Sequence, residues 1–444
     1  MYSPYENRVI YQLFLRVFTP EGTLAAAEKK LPFLQSLGVD YIYLCPCFVQ
    51  DDDPDPAHWS KRQRDSGYGE PRNPYRIKDY FAVDPEYGTT DDLRRFVHTA
   101  HGLGLRVLLD LVYLHCGPQA EFLAEYPDFV RRTPQGDMEY GEWSFPLLNF
   151  DNPALREYLW GHMEWCVREL AVDGFRCDVG DECPVDFWRE GVRRCRAIRP
   201  ELFMLDEGCK PRWLEEAFDA GYLLFWPEHE AVKHVFAGDT PAVRLQQIDA
   251  VLDVPRGRAL IRALDTHDTV CDDPRGRYET YAGHEATDAA LVFQFCTHGI
   301  PFLYNGYEVA DDAPHAIFSS RFCAGHHSIR WEQGDTPQGT ARLRLVRRLT
   351  ALRHTVPALY EGTMSWKYGL PETTMAFIRR APGSRVVAAF NTGSTPQHIS
   401  LGANIRITET LLSRGVQLPH SEDGQVLLEL QPKAYFLAVF ADEG

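Results

Sequence analysis

The chain has 444 residues, 44% hydrophobic and 25% charged, ordinary values for a globular protein with a large core. Its formal net charge of −17 argues against a nucleic-acid partner, which needs a concentrated basic surface. No apolar run approaches the ~18–20 residues of a membrane span, and the opening MYSPYENRVIYQLF lacks the pattern of a secretion signal.

Short apolar runs alternate with polar loops and helical segments. VIYQLFLRVF (9–18) precedes a helical pattern over 23–37, and VDYIYL (39–44) precedes a long polar loop, 48–80. A helix over about 90–103 leads to LRVLLDLVYLH (105–115). A second helix, 153–171, starts after Asp151 and Asn152 with Pro153 in its first turn, and leads to VDGFRCDV (172–179). A helix at 184–197 leads to ELFMLDEG (201–208); a weaker run, AGYLLF (220–225), then GRALIRALDTHDT (257–269) and HGIPFLYNGYE (298–308) complete the series. About eight strands separated by helices predict a closed (β/α)8 barrel, here 1–115 and 153–355. The third connection, 116–152, is a small excursion domain. From about 356 to 444 the runs TTMAFIRR, RVVAAFNTG, RITETLL and KAYFLAVF alternate between turns, predicting a C-terminal antiparallel β-sandwich. Eleven cysteines, an odd number with no Cys-x-x-Cys pair, predict reduced thiols in a cytoplasmic protein.

Barrel enzymes gather reactive groups at the C-terminal ends of their strands. The third run offers Asp110 and His115, the fourth Arg176 and Asp178, the fifth Glu207, and the seventh His267 and Asp268. Asp178 and Glu207, on adjacent strands, can flank a glycosidic bond, one attacking and the other protonating the leaving oxygen. Arg176 and Asp178 share a face, so the guanidinium is expected to hold Asp178 ionised as a nucleophile. Partial burial after LFML is expected to raise the pKa of Glu207, as an acid requires. Asp268 is the expected support for the developing charge, with His115 and His267 donating hydrogen bonds to the sugar.

These segments resemble the α-amylase superfamily of glycoside hydrolases. DLVYLH (110–115) resembles its Asp-Val-Val-x-Asn-His signature, and GFRCDVGDE (174–182) the one built on Arg-x-Asp. LDEG (205–208) resembles the segment of the catalytic acid, and LDTHDT (264–269) the His-Asp signature. The resemblance implies an α-retaining enzyme with Asp178 as nucleophile, Glu207 as general acid/base and Asp268 as transition-state stabiliser. It also implies that Tyr75, in NPYRIKDYFAVDPEYGT (73–89), stacks on the glucose ring and that Arg176 orients the nucleophile. FPLLN (145–149) and VGDECPVDFWRE resemble the neopullulanase, cyclomaltodextrinase and maltogenic amylase group. That group's usual N-terminal β domain has no counterpart before the first strand near residue 9, so its domain-exchanged dimer is not assumed.

Leu114 stands where asparagine normally binds the family's structural calcium, and a leucine offers no oxygen to a hard cation. No cofactor or metal is therefore expected. The cluster Asp51, Asp52, Asp53 and Asp55 reads as a solvated acidic turn rather than a calcium loop. Trp59 is a candidate sugar platform or a packing residue, Glu182 an acceptor-side residue or a surface one, and Tyr68 competes with Tyr75. The expected ligand is an α-linked gluco-oligosaccharide or polysaccharide. Three functions stay open: a hydrolase of α-1,4 links with some α-1,6 or cyclodextrin cleavage, a transglycosylase or sucrose- or trehalose-acting enzyme, and an inactive glucan-binding homologue.

Overall fold

The computed structural model describes residues 3–222, 227–272, 276–403, 405–417, 420–422 and 425–442. Eight parallel strands close into a barrel: β1 (Ile10–Leu13), β2 (Tyr41–Leu44), β3 (Arg106–Val112), β4 (Gly174–Asp178), β5 (Phe203–Asp206), β6 (Ala220–Tyr222), β7 (Ala259–Arg262) and β8 (Ile300–Tyr304). β1 closes the ring, pairing Ile10 with Tyr41 of β2 and with Phe302 of β8. The strands are buried on both faces, which is why they read as near-continuous apolar runs.

Local sequence sets the joints. Gly174 opens β4 because a Cβ there would lie 2.0 Å from the Phe203 carbonyl oxygen of β5. The helix Pro153–Glu169 is capped by Asn152, whose side chain accepts from the N–H groups of Ala154 and Leu155. Thr89 and Asp92 form a reciprocal capping box on Thr90–Gly102.

Three runs differ from their expected form. VIYQLFLRVF is a strand only over Ile10–Leu13 and turns into a short helix at Leu15–Phe18, since an unbroken apolar run cannot distinguish the two states. Of AGYLLF, Ala220–Tyr222 is strand, and Leu223–Phe225 lie outside the described residues. β7 ends at Arg262, so His267 and Asp268 sit in the first turn of a separate helix, His267–Asp272, instead of at the strand exit.

Residues 116–152 form a compact excursion held by isolated bridges such as Val130–Leu148 and Tyr140–Pro146. The loop after β2 carries a hairpin, Phe48–Gln50 with Ile77–Val83, and a helix, Lys61–Asp65. After the last barrel helix, Pro337–Thr355, a seven-stranded antiparallel sheet wraps around one long strand, Gln425–Asp442, as a sandwich-like domain with its own core. Among the described residues no helix is long and apolar enough to cross a membrane.

Candidate active site

The loops at the C-terminal ends of β2, β3, β4, β5, β7 and β8 enclose a cleft of about 450 Å³. Its floor rests on an aromatic layer inside the barrel. Arg176, fully buried on β4, lies 5.5–5.9 Å from the rings of Tyr43, Tyr75 and Tyr222. Its Nη1 donates to Asp110 Oδ1 (2.8 Å) and Oδ2 (2.9 Å) and to Asp178 Oδ1 (2.9 Å). Its Nη2 stands 2.7 Å from Glu207 Oε1, an ion-pair contact without hydrogen-bond alignment. One cation thus faces three buried carboxylates.

β4 and β5 run in register, Cys177 opposite Asp206, which sets Asp178 and Glu207 side by side one residue further on. Neighbouring strands lie about 4.8 Å apart, so the two carboxyl groups start from backbones of that spacing. Val179, just past Asp178, has φ +44°, a left-handed conformation that a β-branched residue rarely adopts. That turn directs the Val179 N–H to donate to Glu207 Oε2 at 2.9 Å.

Burial sets the charges. It pushes Asp178 up to about 7, with Arg176 pulling in the opposite direction and Asp110 and Asp268 adding to the rise. The expectation that Arg176 alone keeps this carboxyl low is therefore corrected: desolvation outweighs the single shared cation. Burial likewise raises Glu207 well above the usual carboxylate range against the pull of Arg176, and Asp178 and Asp268 reinforce it. Burial opposes the ionisation of Asp268 too, but His267, Arg62 and Arg176 outweigh it and hold this group below its ordinary value.

His267 is oriented from beneath. The Gln12 oxygen accepts the His267 backbone N–H (3.3 Å), which turns the Gln12 amide nitrogen toward ring Nδ1 (2.6 Å). Nδ1 is thus an acceptor, and Nε2–H faces Asp268 Oδ2 at 3.2 Å and the Tyr75 hydroxyl. His115 Nε2 donates to the Tyr75 carbonyl (3.1 Å), which leaves Nδ1 as a buried acceptor. Burial pushes both histidines down to about 4, keeping them neutral.

Asp178, Glu207, Asp268, Tyr75 and His115 line the cleft together. Arg176, Asp110 and His267 lie beneath it; Asp110 is also bound by the hydroxyls of Tyr43 (2.6 Å) and Tyr75 (3.0 Å). Two expected candidates are elsewhere. Trp59 is buried with its indole N–H on the Asp53 carbonyl (2.8 Å), and Glu182 is exposed and paired with Lys210 (2.6 Å). Tyr68 does not line the cleft. Residues that motif spacing passed over do: Arg62, Asn73, Trp143, Phe145 and Phe318. The one sequence signal for Trp143 was an aromatic in the excursion just before FPLLN.

The acidic turn is solvated only in part: Asp52 and Asp55 are exposed, but Asp51 and Asp53 are buried. Asp51 is fully buried, pairs with Arg76 Nη2 at 2.6 Å and accepts the Gln119 N–H of the excursion at 2.7 Å. Asp52 pairs with Lys78, Asp53 with His58, and Asp55 caps the short turn at Pro56–His58. Carboxylates already holding cationic side chains do not fit calcium, and Leu114 offers only its carbonyl, which accepts the Leu148 N–H. Among the described residues no group of three or more histidine, cysteine or acidic side chains is arranged to hold a metal.

Residues 9–143 match the family model for the alpha-amylase catalytic domain. Alpha-amylase MalA of Haloarcula japonica is 28% identical over 422 residues, 90% of this chain and 57% of its own. Neopullulanase 2 of Thermoactinomyces vulgaris is 27% identical over 93% of this chain and 69% of its own. An intracellular maltogenic amylase of Bacillus subtilis is 28% identical over 86% of this chain and 63% of its own. The chain thus spans 57–69% of the length of these relatives. Among solved structures, the maltogenic alpha-amylase AmyB from Thermotoga neapolitana superposes with a TM-score of 0.82 at 21% identity, over 98% of this chain and 99% of that one. Isomaltulose synthase from Klebsiella superposes at 0.74 with 17% identity, over 99% and 100%. Likeness at those identities establishes the fold alone.

Proposed function

We propose that this chain is a glycoside hydrolase of the α-amylase superfamily and that it hydrolyses α-1,4-glucosidic bonds of malto-oligosaccharides with retention of configuration. The observation that carries the reading is the pair Asp178 and Glu207, set in register on adjacent strands and held by one guanidinium. Adjacent strands about 4.8 Å apart and a single guanidinium touching both carboxylates favour the close ~5–5.5 Å pairing of a retaining enzyme over the wider spacing of an inverting one.

In this reading Asp178 attacks the anomeric carbon while Glu207 gives its proton to the departing glycosidic oxygen. The ionised form is better supported on Asp178, which receives an aligned hydrogen bond from Arg176, so the proton of the buried pair belongs to Glu207. The glycosyl–enzyme ester then loses its sugar to water, whose proton returns to Glu207. Asp268, kept anionic by its neighbours, faces the charge that develops on the ring, and Tyr75 offers its ring to the sugar face. His267, from beneath, holds Asp268 and the Tyr75 hydroxyl through Nε2–H, and His115 holds the Tyr75 backbone at the cleft wall, so the two histidines fix the groups that meet the sugar. Arg176 and Asp110 act as positioning residues below.

The other parts of the reading rest on less. A short oligosaccharide suits a cleft at the small end of ligand-pocket volumes better than a long polymer does. No disulfide joins the cysteines, and eight of them are buried, which supports a cytoplasmic setting. We assign the barrel to 1–115 and 153–355, the excursion to 116–152 and the β domain to 356–444.

The test is a timed product analysis with maltotriose, maltoheptaose, pullulan, β-cyclodextrin, sucrose and trehalose, reading anomeric configuration by NMR in the first minutes. Shortened α-configured products are expected. Products longer than the substrate would mark a transglycosylase, β-products would refute retention, and no product from any of them would refute the enzyme.

A further inference from the structure

Resting on that reading, we propose that Arg62 closes the far end of the cleft and recognises the non-reducing terminal sugar, so that the enzyme works on chain ends rather than chain interiors. Arg62 belongs to the helix Lys61–Asp65 in the loop after β2. Its Nη1 stands 3.1 Å from Asp268 Oδ1, and its guanidinium lies 5.7 Å from the centre of the Phe318 ring. The side chain is one-third exposed (34%), with Nε and Nη2 buried, and Arg62, Asp268 and Phe318 all line the cleft.

The helix that carries it is pinned. Ser60 caps it, accepting the Gln63 N–H at 3.1 Å. The buried Gln63 donates to the carbonyls of Glu70 (2.8 Å) and Pro71 (3.1 Å). Arg62 is thereby delivered by a fixed element.

Barrel order gives the direction. In a closed ring of eight, β5 lies opposite β1, the strand between β8 and β2. Glu207, at the end of β5, therefore faces the wall built by Arg62 from the β2 loop and by Ile317 and Phe318 from the β8 loop. Glu207 protonates the oxygen that leaves, so the leaving portion exits on its side. The other end of the bound sugar points at Arg62. There a donor and an acceptor, the guanidinium and Asp268, stand side by side, a match for adjacent hydroxyls of a terminal pyranose. A glucan continuing past that point would have to displace the ion pair and the helix behind it.

The experiment compares p-nitrophenyl maltoheptaoside with the same compound capped at its non-reducing 4- and 6-hydroxyls. Wild type, Arg62→Ala and Arg62→Lys are assayed after circular dichroism shows the same fold. Wild type should hydrolyse the uncapped chain at least about 100-fold faster, the value of one or two charged hydrogen bonds together with the closed wall. Arg62→Ala should lose roughly 10-fold or more on the uncapped chain and gain on the capped one, while Arg62→Lys keeps most of the preference. The ratio separates end recognition from any effect on Asp268, because both compounds need Asp268 equally. Capped and uncapped rates within about twofold in wild type, or a ratio unchanged in Arg62→Ala, would overturn the proposal. No hydrolysis of the uncapped chain by wild type would instead overturn the reading of the site, and this inference with it.

Discussion

Asp178→Asn should abolish turnover and yet make the protein more stable, in a way that depends on pH. Burial lifts the Asp178 carboxyl from 3.8 to about 7 in the fold. Below pH 3.8 both folded and unfolded chains hold the proton, and the group contributes nothing. As pH rises the unfolded chain releases it first, so stability falls until the folded group also ionises near pH 7 and then levels off. The full cost corresponds to about 4 kcal/mol above that point. Asparagine removes the charge but also takes one partner from Arg176, which keeps Asp110 and Glu207, so the net gain should be about 2 kcal/mol. Urea denaturation at pH 8 and pH 4 reads it directly: the variant should be the more stable at pH 8, and the two should nearly coincide at pH 4. A variant less stable than wild type at pH 8, or a gap of equal size at both, would refute the argument that the site is ionised at the expense of the fold. Loss of kcat should be at least about 10³-fold.

Glu207→Gln should lower kcat by about 10³-fold on a malto-oligosaccharide, and wild-type activity should fall at alkaline pH as Glu207 loses its proton, a limb a stopped-flow pH profile will show. Arg76→Met leaves Asp51 buried and unpaired, and should cost about 3–5 kcal/mol in urea titration; adding a chelator to wild type should leave its unfolding midpoint in place. Trp143→Ala should raise KM about 3- to 10-fold by removing an aromatic wall of the cleft. Trp59→Ala should leave KM alone and cost roughly 3 kcal/mol of stability.

What could be read from the sequence follows how locally each feature is encoded. Asp178 and Glu207 were legible because each follows an apolar run by a fixed number of residues, and parallel strands in register turn that offset into adjacency. Arg62 was not, because its meeting with Asp268 joins positions 206 apart through a loop that folds back over the barrel mouth. The Asp51–Arg76 pair was hidden for the same reason: DDDPDP looks like a water-facing turn until the hairpin brings Arg76 beneath it. Trp59 and Glu182 show the converse. Residue type and neighbourhood suited both to a sugar cleft, but one indole is anchored inward and one carboxylate is held by Lys210. The elevated Asp178 was beyond pattern reading altogether, since it depends on how completely water is excluded and on how many carboxylates share one arginine.

The long strand Gln425–Asp442 has a consequence for the order in which the molecule can be made. It pairs with Ser384–Asn391, Gln397–Gly402, Ile405–Val416 and His420–Glu422, and its Lys433 reaches the carbonyls of Phe236 (2.8 Å) and Ala237 (3.0 Å) in the barrel. On a ribosome, every barrel strand emerges before this segment, yet three strands of the second domain, Gln397–Gly402, Ile405–Val416 and His420–Glu422, pair with nothing but it, whereas Ser384–Asn391 already has Thr374–Ala381 beside it. The barrel and the meander Thr363–Trp366, Thr374–Ala381, Ser384–Asn391 can therefore assemble while synthesis continues, whereas the rest of the β domain waits for the last strand. A nascent chain stalled before residue 425 would expose unpaired strand edges, a state prone to pair with neighbouring chains, and the final stretch of translation is where this protein is most vulnerable to aggregation.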